Sequence, residues 1–254
     1  MGKQRSGHMS RISVVIPTRG RHHFLRQALD SVLAQGHAPS EIIVVDDGVG
    51  AAEAVADMHP SITVLDNRQR GPVPARNMGV SFATGDSICF LDDDDWFTDN
   101  GYFSRIADAF GRGADFCFAD GILRFEDGRP DLPFAFEADI DTLSRDNTIL
   151  ISGVAYRRSL HAAIGAFDES LPFYWDWDWY LRVARSGHPL THIRMPVVAI
   201  RVHPQNMSGE SLETQRRANL DRFSTKHALP PIPLKNHLDI AIQAPGKPPR
   251  LNEE

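Results

Sequence analysis

The sequence predicts an α/β architecture: a mostly parallel sheet flanked by helices, with a smaller β region in the second half. Two observations predict it. Continuous β-branched apolar runs alternate with helically spaced apolar stretches over about 100 residues, the pattern of βαβ units. Three of the apolar runs also lead into polar clusters, "PTRGR", "DDG" and "DDDD". In a parallel sheet those clusters share one edge, the edge at which open α/β sheets bind ligands.

Taken in order, "ISVVI" (12–16) is a buried strand stopped by Pro17. Phe24, Leu25, Ala28, Leu29, Val32 and Leu33 recur at helical spacing over 22–35, and Gly36 ends that helix. "EIIVV" (41–45) is the second strand, followed by a short Ala-rich helix and the strand "ITVL" (62–65). "ARNMGVSFA" (75–83) is helical with Gly85 as terminator, and "SICFL" (87–91) is the strand before the acidic run. "DFCFADGILRFEDG" (115–128) predicts a strand pair and "TILISGVAYRR" (148–158) a further strand. A helix over 176–186 precedes separate strands in "THI" and "VVAIRVH", and a polar helix covers 210–227. The Pro-rich tail 229–254 is expected to be extended. Residues 1–10, "MGKQRSGHMS", resemble an expression-tag remnant, which leaves 11–228 as one domain.

The 254 residues suffice for one large domain, and 42% hydrophobic with 24% charged residues is ordinary for a globular chain. A net charge of −6 argues against nucleic acid as a partner. No apolar stretch approaches the roughly 18 residues of a membrane span, and no export leader is visible. The two cysteines, Cys89 and Cys117, sit inside apolar runs and read as buried, reduced thiols. A cytoplasmic location is therefore expected, with peripheral attachment to the inner face of a membrane as the alternative.

The acidic run raises the chemical question. "CFLDDDDWF" (89–97) places four carboxylates behind a buried strand, against both mutual repulsion and desolvation. On an extended segment Asp92 and Asp94 share one side and Asp93 faces another. Two such oxygen donors suit a hard divalent cation, Mg²⁺ or Mn²⁺; a solvated acidic loop is the competing reading.

Five segments in order resemble the family 2 glycosyltransferases, inverting enzymes of the GT-A fold with a Rossmann-like sheet. They are "VVIPTRGR", "EIIVVDDG", "GPVPARNMGVSFATGDSICFLDDDD", "GAFDESLPFYWDWDWYLRVARSG" and "RVHPQNMS", spanning Ile12 to Ser208. The resemblance implies a nucleotide-sugar half (11–110), an acceptor half (111–208) and a C-terminal helix (209–228). It implies that Pro17, Thr18 and Arg21 border the donor's base, that Asp46 or Asp47 contacts base or ribose, and that Arg76 holds the nucleotide. Asp92, Asp93 and Asp94 would make ribose and metal contacts, with Asp92, Asp94 and His203 on the metal. The donor implied is a nucleotide-sugar, a UDP-sugar first. The acceptor is any hydroxyl-bearing glycan, lipid-linked sugar, peptide or natural product, and a dimer is left open. The processive members' Gln-x-x-Arg-Trp signature is absent, which implies transfer of a single sugar.

Within "WDWDWYLR" (175–182), Asp178 and Arg182 are four apart and pair on one helical face, while Asp176 lies about 200° away from Asp178. An inverting transferase needs one carboxylate to take the acceptor's proton, and Asp176, at the helix start, is assigned that role, an N-cap being its structural alternative. Trp175 offers a flat face for a sugar ring. The family more often has Glu where this chain has Trp175, and Tyr-Asn within the stretch read here as "TRGR". Two rival functions follow: a nucleotide-sugar-binding protein without catalysis, and a sugar nucleotidyltransferase. The second would need an early Gly-rich loop, of which "PTRGRHH" is a poor version.

Overall fold

The computed structural model describes residues 11–203, 206–207 and 212–243. The tag-like segment 1–10 and the end of the tail, 244–254, lie outside the described residues. Strands β1 (Ile12–Thr18), β2 (Glu41–Asp46), β3 (Ile62–Asp66) and β4 (Ser87–Phe90) form a parallel half-sheet in the order β3-β2-β1-β4. Alternation along β1 sends Ile12, Val14 and Ile16 to one apolar cluster and Val15 to the other. Helices α1 (His22–Leu33) and α2 (Ala51–Val55) cover the first face, and α3 (Pro72–Phe82) covers the second. The continuous apolar runs of β1 and β2 are thus explained by burial on both sides.

After β4 the sheet changes character. Strand β5 (Trp96–Phe97) and helix α4 (Tyr102–Gly111) lead into β6 (Phe116–Phe125) and β7 (Leu132–Phe134). Helix α5 (Ile140–Leu143), a 3₁₀ turn (Ile151–Gly153), β8 (Val154–Arg157) and α6 (Arg158–Ile164) follow, then α7 (Trp175–Arg185) and β9 (Leu190–Val202). The order continues β4-β8-β6-β9-β5; β8 is antiparallel to β4 and β6, β9 parallel to β6, and β5 antiparallel to β9. Four inter-strand steps of about 4.8 Å separate β4 from β5 along this path. Only Leu91–Asp95 joins them in the chain, and that segment is turned, with Asp95 N donating to Asp92 O at 3.1 Å. The second half of the sheet therefore curls so that its edge strand β5 returns to β4 at the acidic turn.

Two strand expectations are corrected. The stretch 115–128 is a single strand, β6, whose hairpin partner β7 lies further on. Its "DG" marks a close approach: a Cβ on Gly121 would lie 2.5 Å from Leu150 Cδ1 and 3.1 Å from Val198 O. Conversely, "THI" and "VVAIRVH" are one strand, β9, interrupted where the register with β6 slips around Asp120 and Pro196. The tail is not wholly extended either. After α8 (Glu213–Lys226), residues 237–243 form helix α9 (His237–Gln243), with Ile240 and Ala241 in the core. Both cysteines are buried and free. Among the described residues no helix is long and apolar enough to cross a membrane.

Gly79 is where α3 touches β1, and a Cβ there would overlap Val15 Cγ1. Gly79→Ala is expected to destabilise the fold by about 1–3 kcal/mol despite alanine's better helix propensity, measured by urea unfolding. His161 stacks on Tyr156 and Trp179, and its Nδ1 lies 3.1 Å from the Tyr156 hydroxyl. Burial, then the Arg182 charge, lowers its pKa from 6.5 to about 4. Folding favours the neutral ring, so its contribution is complete above pH 6.5 and is lost as pH falls through about 4. His161→Phe should flatten the urea-midpoint profile between those pH values while lowering stability overall, because Tyr156 loses its partner.

Candidate active site

The acidic turn sits at the carboxyl edge of the parallel half-sheet, beside Thr18 at the end of β1. It is a turn and not an extended segment, yet it still separates its side chains. Asp92, Asp94 and Asp95 each offer a carboxylate oxygen within 4.8 Å of the others. Asp93 points away, accepting from Thr18 Oγ1 at 2.6 Å and from Arg21, whose Nη1 also meets Asp94 Oδ2 at 2.5 Å. Arg76 pairs with Asp92. Two guanidiniums thus face four carboxylates, a formal excess of two negative charges. Burial pushes the Asp93 carboxyl up to about 6 in spite of Arg21. Burial, followed by the charges of Asp94 and Asp92, raises Asp95 well above the usual range against hydrogen bonds from Ser152 and the Arg201 N–H.

An all-oxygen donor set with that charge fits a hard divalent cation. His203, distant in sequence, joins it: its Nε2 lies 3.0 Å from Asp94 Oδ2. Strand alternation places Asp95 on the Asp93 side, away from Asp92 and Asp94; the turn brings it to them instead. Ser152 was overlooked because its serine signals nothing by itself; its hydroxyl donates to Asp95 Oδ2 at 2.5 Å and accepts from Asp92 N at 3.1 Å.

The aspartate pair after β2 splits. Asp46 accepts from Gly48 N at 2.8 Å and Ala51 N at 3.0 Å, which fixes the entry to α2 and leaves it off the cavity wall. Asp47 lines the cavity with Pro17 and Thr18, its Oδ1 held by Asn67 Nδ2 at 2.5 Å and Gly71 N at 2.9 Å.

Helix α7 supplies the opposing wall. Tyr174, in the left-handed region at φ 61°, turns the chain into it. Asp176 is half-buried at the cavity, its Oδ2 accepting from Asn147 Nδ2 at 2.9 Å. Burial raises its pKa more than that hydrogen bond lowers it. Asp178 faces the other way, fully buried, between Arg182 Nε (2.9 Å), His227 Nε2 (2.8 Å) and Lys226 Nζ (2.6 Å). Burial opposes its ionisation, but His227, Lys226 and Arg182 together hold its pKa below the ordinary value. The three tryptophans of α7 are buried. Trp175 lines the cavity, with Arg76 Cζ 4.5 Å from its ring centroid.

These parts enclose one cavity of about 590 Å³. The acidic turn, Arg76 and Asp176 line it, and so do Arg216, Lys235 and His237 from the C-terminal segment, which sequence reasoning missed. Among the described residues, buried polar atoms of its lining that have no protein partner include Arg76 Nε and Asn147 Oδ1.

The solved structures on which this chain superposes include glycosyltransferases of the GT-A fold. S. aureus TarS 1-349 in complex with UDP-GlcNAc superposes with a TM-score of 0.66 at 16% identity, over 85% of this chain and 66% of that one. Mannosyltransferase PcManGT from Pyrobaculum calidifontis, in complex with GDP-Man and Mn²⁺, gives 0.66 at 18% identity over 93% and 69%. Another TarS structure is spanned for only 39% of its length. In sequence, the Bacillus subtilis (strain 168) protein described as uncharacterized glycosyltransferase YwdF is 36% identical over 240 residues, 89% of this chain and 87% of that one. A PGL/p-HBAD biosynthesis glycosyltransferase of Mycobacterium tuberculosis (strain ATCC 25177 / H37Ra) is 28% identical over 195 residues, 74% and 75%. The sequence model "Glycosyl transferase family 2" matches residues 13–162, and the chain belongs to that family. The nucleotidyltransferase alternative is thereby set aside.

Asp178→Asn should cost at least about 2 kcal/mol in urea unfolding, because Arg182 and Lys226 lose their anion and a buried hydrogen-bond network with His227 is broken.

Proposed function

We propose that this glycosyltransferase moves a single sugar from a nucleotide-sugar, a UDP-sugar in the first instance, to an acceptor hydroxyl with inversion. The observation that carries the reading is that Asp176 and the acidic turn open on the same cavity from opposite elements, α7 and the β4 edge. Pro17, Thr18 and Asp47 would border the donor's nucleoside; Asp46 is left out because backbone N–H groups occupy both its oxygens. Arg21 and Arg76, already at the turn, would balance the diphosphate's charge. A divalent cation, Mn²⁺ or Mg²⁺, held by Asp92, Asp94 and Asp95 with His203 beside them, would stabilise the departing diphosphate as a Lewis acid. The Mn²⁺ and GDP-Man bound by PcManGT and the UDP-GlcNAc bound by TarS support such a donor site.

In the reaction Asp176 takes the acceptor hydroxyl's proton as that oxygen attacks the anomeric carbon. The bond from that carbon to the diphosphate oxygen breaks in the same displacement, so the configuration inverts. Asn147 holds Asp176 in place through its amide N–H.

Asp176→Asn is expected to lower turnover by about 10²–10⁴-fold while donor binding, followed by calorimetry with Mn²⁺, stays unchanged. Asp94→Asn should weaken both donor and Mn²⁺ binding, and EDTA should abolish turnover until Mn²⁺ is restored. Full turnover by Asp176→Asn, or a product of retained anomeric configuration by NMR, would overturn the mechanism. A parent protein that binds donor but never turns over would instead support the non-catalytic alternative.

A further inference from the structure

Outside the cavity wall, one arginine gathers the acidic turn, α1 and the end of β9 into one unit. Arg201, only 11% exposed in its side chain, lies between two aromatic faces, its Cζ 4.2 Å from the Phe24 ring centroid and 4.7 Å from that of Trp96. Its Nε donates to the Asp94 carbonyl oxygen at 3.1 Å, and its backbone N–H donates to Asp95 Oδ1 at 3.1 Å. Nη1 meets Glu126 Oε1 at 2.7 Å and Nη2 meets Gln27 Oε1 at 2.6 Å. Its carbonyl accepts from Asn206 Nδ2 at 3.1 Å, and Asn206 Oδ1 in turn accepts from His203 N at 2.6 Å. The Phe24 ring also stands 5.7 Å from that of His203.

We infer that Arg201 is a positioning residue that sets the spacing of the cation-binding side chains Asp94, Asp95 and His203 without touching the cation. The inference rests on the metal reading above. Three features make it more than a surface ion pair. Every guanidinium nitrogen is directed at a different part of the chain: Gln27 on α1, Glu126 just past the end of β6, or the acidic turn itself. The planar group is clamped between rings, which fixes its orientation. Its hydrogen bonds reach the turn through a main-chain carbonyl, so they act on where the Asp94 backbone sits and not on its charge. Lysine at this position keeps the charge but cannot serve Asp94 O, Glu126 and Gln27 at once, nor lie flat between the rings.

The test is Mn²⁺ affinity of the full chain, read by EPR of free Mn²⁺, with thermal midpoints taken in EDTA. Loss of outer-shell support of this kind weakens metal binding by about 10–100-fold. Arg201→Lys is expected to raise the Mn²⁺ dissociation constant within that range while its metal-free midpoint falls by only a few degrees. Phe24→Leu, which removes one clamping ring, should shift affinity in the same direction by a smaller factor, and it decides the matter if Arg201→Lys does not fold. An affinity within twofold of the parent in the folded variants overturns the proposal and leaves the metal reading intact. If the parent binds no Mn²⁺, the metal reading falls and this proposal with it.

Discussion

Four adjacent carboxylates at the end of a buried strand are the constraint around which this molecule is arranged. Each would cost several kcal/mol if left ionised and unpaired away from water. The fold distributes them instead of burying them together. Asp93 is given to Thr18 and Arg21, Asp92 to Arg76, and Asp95 to Ser152 and the Arg201 N–H, while Asp94 lies between Arg21 and His203. The partners come from β1, α3, the 3₁₀ turn and β9, so the curl of the sheet and the docking of these elements are conditions for the turn to exist at all. The residual negative charge faces the cavity, where binding of a positive group is useful.

The parallel half-sheet was legible because burial on both faces writes itself as uninterrupted apolar runs, as in β1 and β2. The second half was not, because its cues are ambiguous. Asp120-Gly121 reads as a turn, yet Gly121 is there for its close contact with Leu150 and Val198. Pro196 reads as a break, yet β9 runs through it by slipping register. In the tail, prolines hid a seven-residue helix that depends on tertiary burial of Ile240 and Ala241.

At the site, residues with strong chemical identity were found from sequence: Asp94, Asp176, His203 and the two arginines all come to one region. The separation of Asp176 from Asp178 also followed from helical geometry, and the structure adds Lys226 and His227 to the Arg182 partnership. What escaped were residues whose role exists only through distant neighbours. Asn147, Ser152 and Arg201 carry no local signal; each acts on a carboxylate dozens of residues away. Asp46 failed in the opposite sense, a conspicuous acid employed on two backbone N–H groups.

The C-terminal segment contributes Arg216, Lys235, Asn236 and His237 to the cavity wall, and all four fall outside the span 13–162 that defines the family match. Helix α9 packs against β7, with Ile240 and Ala241 in the core. The cavity wall is thereby assembled from both ends of the chain. Side chains at Lys235, Asn236 and His237 can therefore vary the shape of that wall from an element distant in sequence from the acidic turn, a handle on what enters that is separate from the carboxylates themselves.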